Sequence, residues 1–202
     1  MLEQKTSGSG IWEAETVLFE QGSIYIIEAP SGKGKTSLLS VIYGIRKDYV
    51  GTVYLDHDDI SGLNFRQWSR IRKEKLSYIF QGLELFEDLS ALENIELKNS
   101  ITHYKTSEEI EEMAVRLDIK AFLYRKAGIL SFGQQQRVAI LRALCQPFEM
   151  LLADECFSHI DQENSLNAYK LIREECNSRG AGLILTSLNG TDQMKADRRM
   201  KL

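Results

Sequence analysis

Ile24-Tyr25-Ile26-Ile27 runs through Glu28 into Ala29-Pro30-Ser31-Gly32-Lys33-Gly34-Lys35-Thr36, and an apolar-rich segment continues over residues 36–43. The short, continuous apolar run reads as a strand covered on both faces, and the segment after the glycines reads as a helix. In that order the three pieces make a cradle for an anion. Gly32 and Gly34 let the backbone turn its N–H groups inward, and the helix aims the positive end of its dipole at the same point. Lys35 adds a charge suited to β- and γ-phosphates, and the Thr36 hydroxyl is placed to ligate Mg²⁺. Ser31, Lys33 and Ser37 belong to the same candidate phosphate-binding set. Ala29 stands where such a loop usually has its first glycine, so its φ must be negative.

Four other segments read as strands: Thr52-Val53-Tyr54-Leu55, Leu76-Ser77-Tyr78-Ile79-Phe80, Met150-Leu151-Leu152-Ala153 and Leu183-Ile184-Leu185-Thr186. Their continuous apolar character suits a parallel sheet with helices on both faces. Helical patterns lie between them. Thr106 is an N-cap with Glu109 completing a capping box, and Ile110, Met113, Ala114 and Leu117 form one stripe. Further helices are expected over 134–145, stopped by Pro147, and over 165–176, closed near Gly180. Residues 87–130 are mostly helical. The fold expected is therefore α/β, a mostly parallel sheet core with a helical insert.

Bulk properties agree with one domain. The chain has 202 residues, 43% hydrophobic and 27% charged, enough to bury a substantial core. A net charge of −4 gives no electrostatic reason to expect a nucleic-acid surface. Cys145, Cys156 and Cys176 form no C-x-x-C pair, so no disulfide framework or zinc site is suggested and a reducing, cytoplasmic setting is expected. No apolar run is long enough to span a membrane.

A second motif supports the phosphate loop. Met150-Leu151-Leu152-Ala153-Asp154-Glu155 is an apolar strand ending in adjacent carboxylates. Asp154 would hold Mg²⁺ through water, and Glu155 would accept a proton from an attacking water. Each motif has a plainer reading, a glycine-rich turn or a turn-capping acid; together they resemble a P-loop nucleoside triphosphatase.

Leu130-Ser131-Phe132-Gly133-Gln134-Gln135-Gln136-Arg137 makes the resemblance specific, because it is similar to the signature of ATP-binding cassette (ABC) ATPases, usually L-S-G-G-Q-Q-Q-R. Tyr78-Ile79-Phe80-Gln81 looks like that family's Q-loop, Ser158-His159-Ile160-Asp161 like its D-loop, and residues 196–202 like the strand that closes the core. The resemblance implies the ATPase subunit of an ABC transporter, with ATP and Mg²⁺ as ligands. It implies a core of residues 1–86 and 134–202, with a small N-terminal antiparallel sheet, and a helical subdomain over 87–133. Thr36, Gln81 and Asp154 become metal-site residues, and Glu155, Gln81 and Ser187 catalytic ones. Ser131, Gly133 and Gln134 complete the nucleotide site of a second subunit in an ATP-joined dimer, expected to be a homodimer. The remaining partner implied is a transmembrane permease, with the chain peripheral on the inner face of the cell membrane. Phe80-Gln81-Gly82-Leu83-Glu84-Leu85-Phe86 is similar to the lipoprotein-releasing and macrolide-export branch.

Several residues depart from the family pattern. Phe132 replaces a signature glycine, Cys156 a common proline, and Ser187 the switch histidine that contacts the γ-phosphate. Ser187 would need a water to reach it, which points to slow hydrolysis. The adenine-stacking aromatic falls near Thr6, with Trp12 as a substitute that more readily packs under the sheet. These departures motivate an alternative, a regulatory module that hydrolyses ATP slowly or not at all; the retained Glu155 argues against it. A chromosome-maintenance cassette would carry long coiled coils between Gln81 and Leu130, and none is present. His57 and His103 read as solvated, His159 as facing the dimer interface without catalytic duty, and Arg66, Arg70, Arg72, Lys73 and Lys75 as a solvated helix face.

Overall fold

The computed structural model describes residues 11, 14, 16–188 and 191–202, so Thr6 and Trp12 lie outside the described residues. Five parallel strands form the main sheet: β1 (Ile24–Glu28), β4 (Leu76–Ile79), β5 (Met150–Asp154), β6 (Gly182–Ser187) and β7 (Arg198–Lys201). Their spatial order is β4-β5-β6-β1-β7. β7 pairs with β1 at one edge, with Tyr25 opposite Arg198, as the segment over 196–202 led one to expect.

Alternation of side chains divides the core between the two faces of this sheet. Ile24, Ile26, Leu151, Ala153, Leu183 and Leu185 belong to one buried cluster, with residues from α3 (Ala91–Thr102), α4 (Ser107–Arg116), α5 (Phe132–Leu144) and α6 (Gln162–Arg179). Tyr25, Ile27, Leu76, Tyr78, Leu152 and Ile184 face the other way. There they pack with α1 (Lys35–Ile42) and with Trp68 of α2 (Phe65–Glu74). Burial on both faces is why these strands read as unbroken apolar runs.

Thr52 to Leu55 corrects the expectation of a fifth strand in that sheet. Only β2 (Tyr54–Leu55) is extended, and it pairs antiparallel with β3 (Asp58–Asp59) in a separate ribbon. Tyr54 is exposed, so its β propensity serves an edge rather than a core.

Helix starts are set by caps. Thr106 and Glu109 make the predicted box, and Asn64/Gln67, Ser90/Glu93 and Ser131/Gln134 repeat the device at α2, α3 and α5. Each such cap is worth about 1 kcal/mol. Two boundaries move as a result: α5 starts at Phe132 rather than 134, and α6 at Gln162 rather than 165, capped by the Asp161 carboxylate.

The basic run is only partly a solvated face. Arg66, Arg70 and Lys73 are exposed. Arg72 donates to the carbonyls of Tyr43 and Gly44 and lies over the Trp68 ring, while Lys75 pairs with Asp56 and Glu149. His57 and His103 are exposed, and His103 ends α3 in a left-handed conformation.

Candidate functional site

Because every strand of the main sheet is parallel, the carboxyl ends of β1, β4, β5 and β6 meet on one side, where open α/β sheets bind ligands. Residues 29–36 leave β1, Gln81 follows β4, Asp154 ends β5 with Glu155 just beyond it, and Ser187 ends β6. Register aligns them: Glu28 lies opposite Ser187, and Asp154 opposite Thr186.

Lys35 opens α1 and is only 4% exposed. Its ammonium donates to the carbonyls of Ala29 (2.5 Å) and Pro30 (3.0 Å) and lies 3.1 Å from Glu155 Oε1. Gly32 and Gly34 adopt φ of +75° and +96°, the left-handed turn that bends the loop around this charge. Ala29 is absent from the positive-φ residues, so alanine is tolerated there as expected. Ser31, Gly32 and Lys33 are exposed at the loop, and Ser37 Oγ accepts from Arg46.

A chain of side chains ties the loop to the acids. Thr36 Oγ1 donates to Gln81 Oε1 at 3.2 Å, and Gln81 Nε2 donates to Glu155 Oε2 at 3.2 Å. Glu155 holds φ of +47°, uncommon for a non-glycine residue and of the kind that clusters at functional sites. Its N–H is shared between the carbonyl (3.1 Å) and hydroxyl (3.3 Å) of Thr186.

Asp154 is fully buried. Its Oδ1 accepts from Thr186 Oγ1 at 2.6 Å, whereas Oδ2 has no hydrogen-bond partner among the described residues. A buried carboxylate oxygen left this way costs free energy unless a cation or water completes it. With the oxygens of Thr36 and Gln81 it offers hard donors and one carboxylate, a set that fits Mg²⁺, which completes its shell with water and phosphate oxygens. Burial and the Asp154 charge push the Tyr78 hydroxyl above its ordinary range, so Tyr78 faces this acid as a neutral group. The Cys156 thiol is likewise pushed up by burial, which leaves it inert.

Ser131, Gly133 and Gln134 lie together at the start of α5. Ser131 N–H donates to Gln134 Oε1, and Gln134 N–H to Ser131 Oγ. None of their hydrogen bonds reaches Lys35 or Glu155; they adjoin the segment 158–161 instead. A Cβ on Gly133 would stand 2.7 Å from the His159 carbonyl oxygen, so only glycine permits this approach. Phe132 packs edge-on against the His159 ring, with centroids 4.5 Å apart. Ser187 borders a cavity of about 440 Å³ with Glu155, Ser158 and Thr191.

Sequence reasoning missed Thr186, which positions both acids, and the pair Gln136 and Ser158, joined at 3.1 Å. Thr186 acts through strand register, which no local pattern reveals. Gln136 sits within the signature run, but its partner is 22 residues away.

A family model described as "ABC transporter" matches residues 15–158. The lipoprotein-releasing system ATP-binding protein LolD 1 of Chlorobium chlorochromatii is 32% identical over 91% of the chain and 76% of its own length. The ABC transporter ATP-binding protein YtrE of Bacillus subtilis is 31% identical over 82% of the chain and 73% of its own. Other curated relatives are longer, and the chain spans about half their length. A dimeric structure of the bacterial ABC transporter cassette MJ0796 superposes with a TM-score of 0.83 at 28% identity, covering 92% of this chain and 83% of that one. A post-hydrolysis dimer of the same cassette with ADP and Pi gives 0.80 at the same identity and coverage.

Proposed function

Since the chain belongs to the ABC transporter family, as its match over residues 15–158 and its relatives establish, we propose that it is the subunit that binds and hydrolyses ATP to drive a separate membrane permease. The observation that carries this reading is the Thr36–Gln81–Glu155–Lys35 chain at the carboxyl ends of the strands. In it an ammonium suited to phosphate and a carboxylate suited to act as a base lie 3.1 Å apart, beside Thr36 and Gln81.

In the proposed reaction, the backbone N–H groups of residues 31–36 and Lys35 hold the β- and γ-phosphates. Glu155 takes a proton from a water in line with the γ-phosphorus. That oxygen bonds to phosphorus, the bond to the β–γ bridging oxygen breaks, and ADP and phosphate result. Thr36, Gln81 and Asp154 would hold Mg²⁺, which would supply charge stabilisation at the phosphate oxygens. Gln81 lies between Thr36 and Glu155 and orients the water. Glu155 lies 3.1 Å from the Lys35 ammonium, so a phosphate held by Lys35 would compete with this carboxylate for the same charge.

Ser131, Gly133 and Gln134 serve the nucleotide of a second subunit, because they are remote from Lys35 in hydrogen bonding and present a helix N-terminus. The dimeric relative supports this arrangement, and we take the dimer to be made of two copies of this chain. In this reading residues 87–133 are the helical subdomain, and the described residues of 1–86 and 134–202 are the core. The chain acts at the cytoplasmic face of the membrane through its permease; no helix among the described residues is long and apolar enough to cross one. Likeness to LolD 1 supports the lipoprotein-releasing branch.

Phosphate release by the purified protein with its permease tests this reading. Glu155→Gln should lower turnover at least about hundredfold, the size of a lost general base, while retaining ATP and accumulating dimer. Absence of turnover in the wild type under the same conditions would instead favour the regulatory alternative.

A further inference from the structure

We propose that His159 donates a hydrogen bond, through Nε2, to the phosphates of the nucleotide held by the partner subunit, taking over the contact for which Ser187 is too short. The proposal rests on the reading that the start of α5 meets the partner's nucleotide. The rest follows from this chain's own hydrogen bonds.

The His159 backbone N–H can only donate, and its acceptor is Gln136 Oε1 at 3.1 Å. That fixes the orientation of the Gln136 amide, so its Nε2 donates to Ser158 Oγ at 3.1 Å. With an acceptor site of the Ser158 oxygen filled, its own O–H is free to donate to His159 Nδ1, 2.8 Å away. A neutral imidazole that accepts at Nδ1 carries its proton on Nε2. Were the ring protonated, Nδ1 would donate to the serine oxygen and Nε2 would still bear a proton. With the Ser158 hydroxyl as the donor to the neutral ring, Nε2–H is a donor in both states; only a neutral ring with its proton on Nδ1 would leave Nε2 an acceptor. No described residue accepts from Nε2.

Phe132 fixes where the ring stands. Its edge-on contact at 4.5 Å holds the exposed imidazole against the first residue of α5. Gly133 lets the His159 carbonyl come in under the same helix start. The imidazole therefore stands against Phe132, the residue between Ser131 and Gly133, and a phosphate met by this helix start would lie close to it. Phe132 of the signature run and His159 after Ser158 are thus two halves of one device. Its other end, Ser158, borders the cavity beside this subunit's own Glu155 and Ser187.

The test uses full-length protein with its permease. His159→Ala and His159→Phe should each lower kcat about ten- to a hundredfold with unchanged melting temperature, the effect of losing one hydrogen bond to a charged group. His159→Phe keeps an aromatic ring against Phe132, so its loss of rate separates donation from packing. Adding Ser187→His to His159→Ala should recover most of the rate, because an imidazole is returned to the phosphate from the other subunit's strand. Mixed dimers identify the direction of action. One subunit carrying His159→Ala and one carrying Glu155→Gln should show activity above that of either homodimer, since one complete site forms only if His159 acts across the interface. Normal kcat in His159→Phe, no recovery with Ser187→His, or inactive mixed dimers would overturn the proposal. Failure of Glu155→Gln to dimerise on ATP would overturn the underlying reading instead.

Discussion

Lys35 has two backbone carbonyls and one carboxylate around a buried ammonium, so its charge is compensated within the chain. Truncation to alanine leaves the half-buried Glu155 without its counter-charge as well as removing the phosphate contact. Lys35→Ala should weaken binding of a non-hydrolysable ATP analogue by at least about tenfold in calorimetry, equivalent to a charged hydrogen bond. Thr186→Val is a sharper test of positioning. The shape is kept, but Asp154 Oδ1 loses its donor, so stability should fall by about 1–3 kcal/mol in denaturant titration. Turnover should fall with it, and excess Mg²⁺ should restore part of the rate if Asp154 is the metal's carboxylate. At this scale the sequence named Lys35, Asp154 and Glu155, because strand-end and loop positions are readable locally. It left Thr186 unnamed because that residue's role depends on lying opposite Asp154.

Elements meet here through places where side-chain volume has been removed. Gly44 follows α1 with φ of +72°, and a Cβ there would lie 2.2–2.5 Å from the Trp68 ring of α2. Gly44→Ala combines left-handed strain with an overpacked contact, so a loss of about 2–4 kcal/mol is expected in chemical denaturation. Gly133→Ala works differently. The obstacle is a backbone oxygen of His159, so the loop after β5 must move away from α5. Turnover should drop more than stability, which paired rate and melting measurements would separate. Arg142 makes a further junction, donating from α5 to the carbonyls of Leu83 and Glu84, two residues with φ of +60° and +50°. These contacts hold the turn just after Gln81. The capping box at Thr106 was legible, whereas those at Asn64, Ser90 and Ser131 were not read although they carry the same pattern. The start of α6 was missed because Asp161 lies in a segment read for its family likeness rather than for its cap.

Across the molecule, burial decides reactivity. Cys145 and Cys176 are pushed up to about 12 by desolvation, and Cys156 is raised as well. A raised thiol pKa means that the protonated form persists at neutral and mildly alkaline pH, with almost no thiolate to react. At pH 8 the native protein should therefore resist a thiol reagent at all three positions and label only as fast as it unfolds; rapid labelling in the native state would contradict the packing described. By itself the sequence determined the strand–loop–helix cradle, the acid pair and the order of motifs along the chain, since each is a local pattern of turn chemistry and hydrophobic period. It misassigned 52–55, because a short β-prone run looks the same in a ribbon as in a sheet. Only the tertiary structure decided what converges. Parallel pairing brings four strand ends to one side, and register sets Thr186 against Asp154. The return of the chain after Glu155 lays His159 on the start of α5. Such contacts join residues far apart in the chain, and their energy comes from geometry that no window of sequence contains.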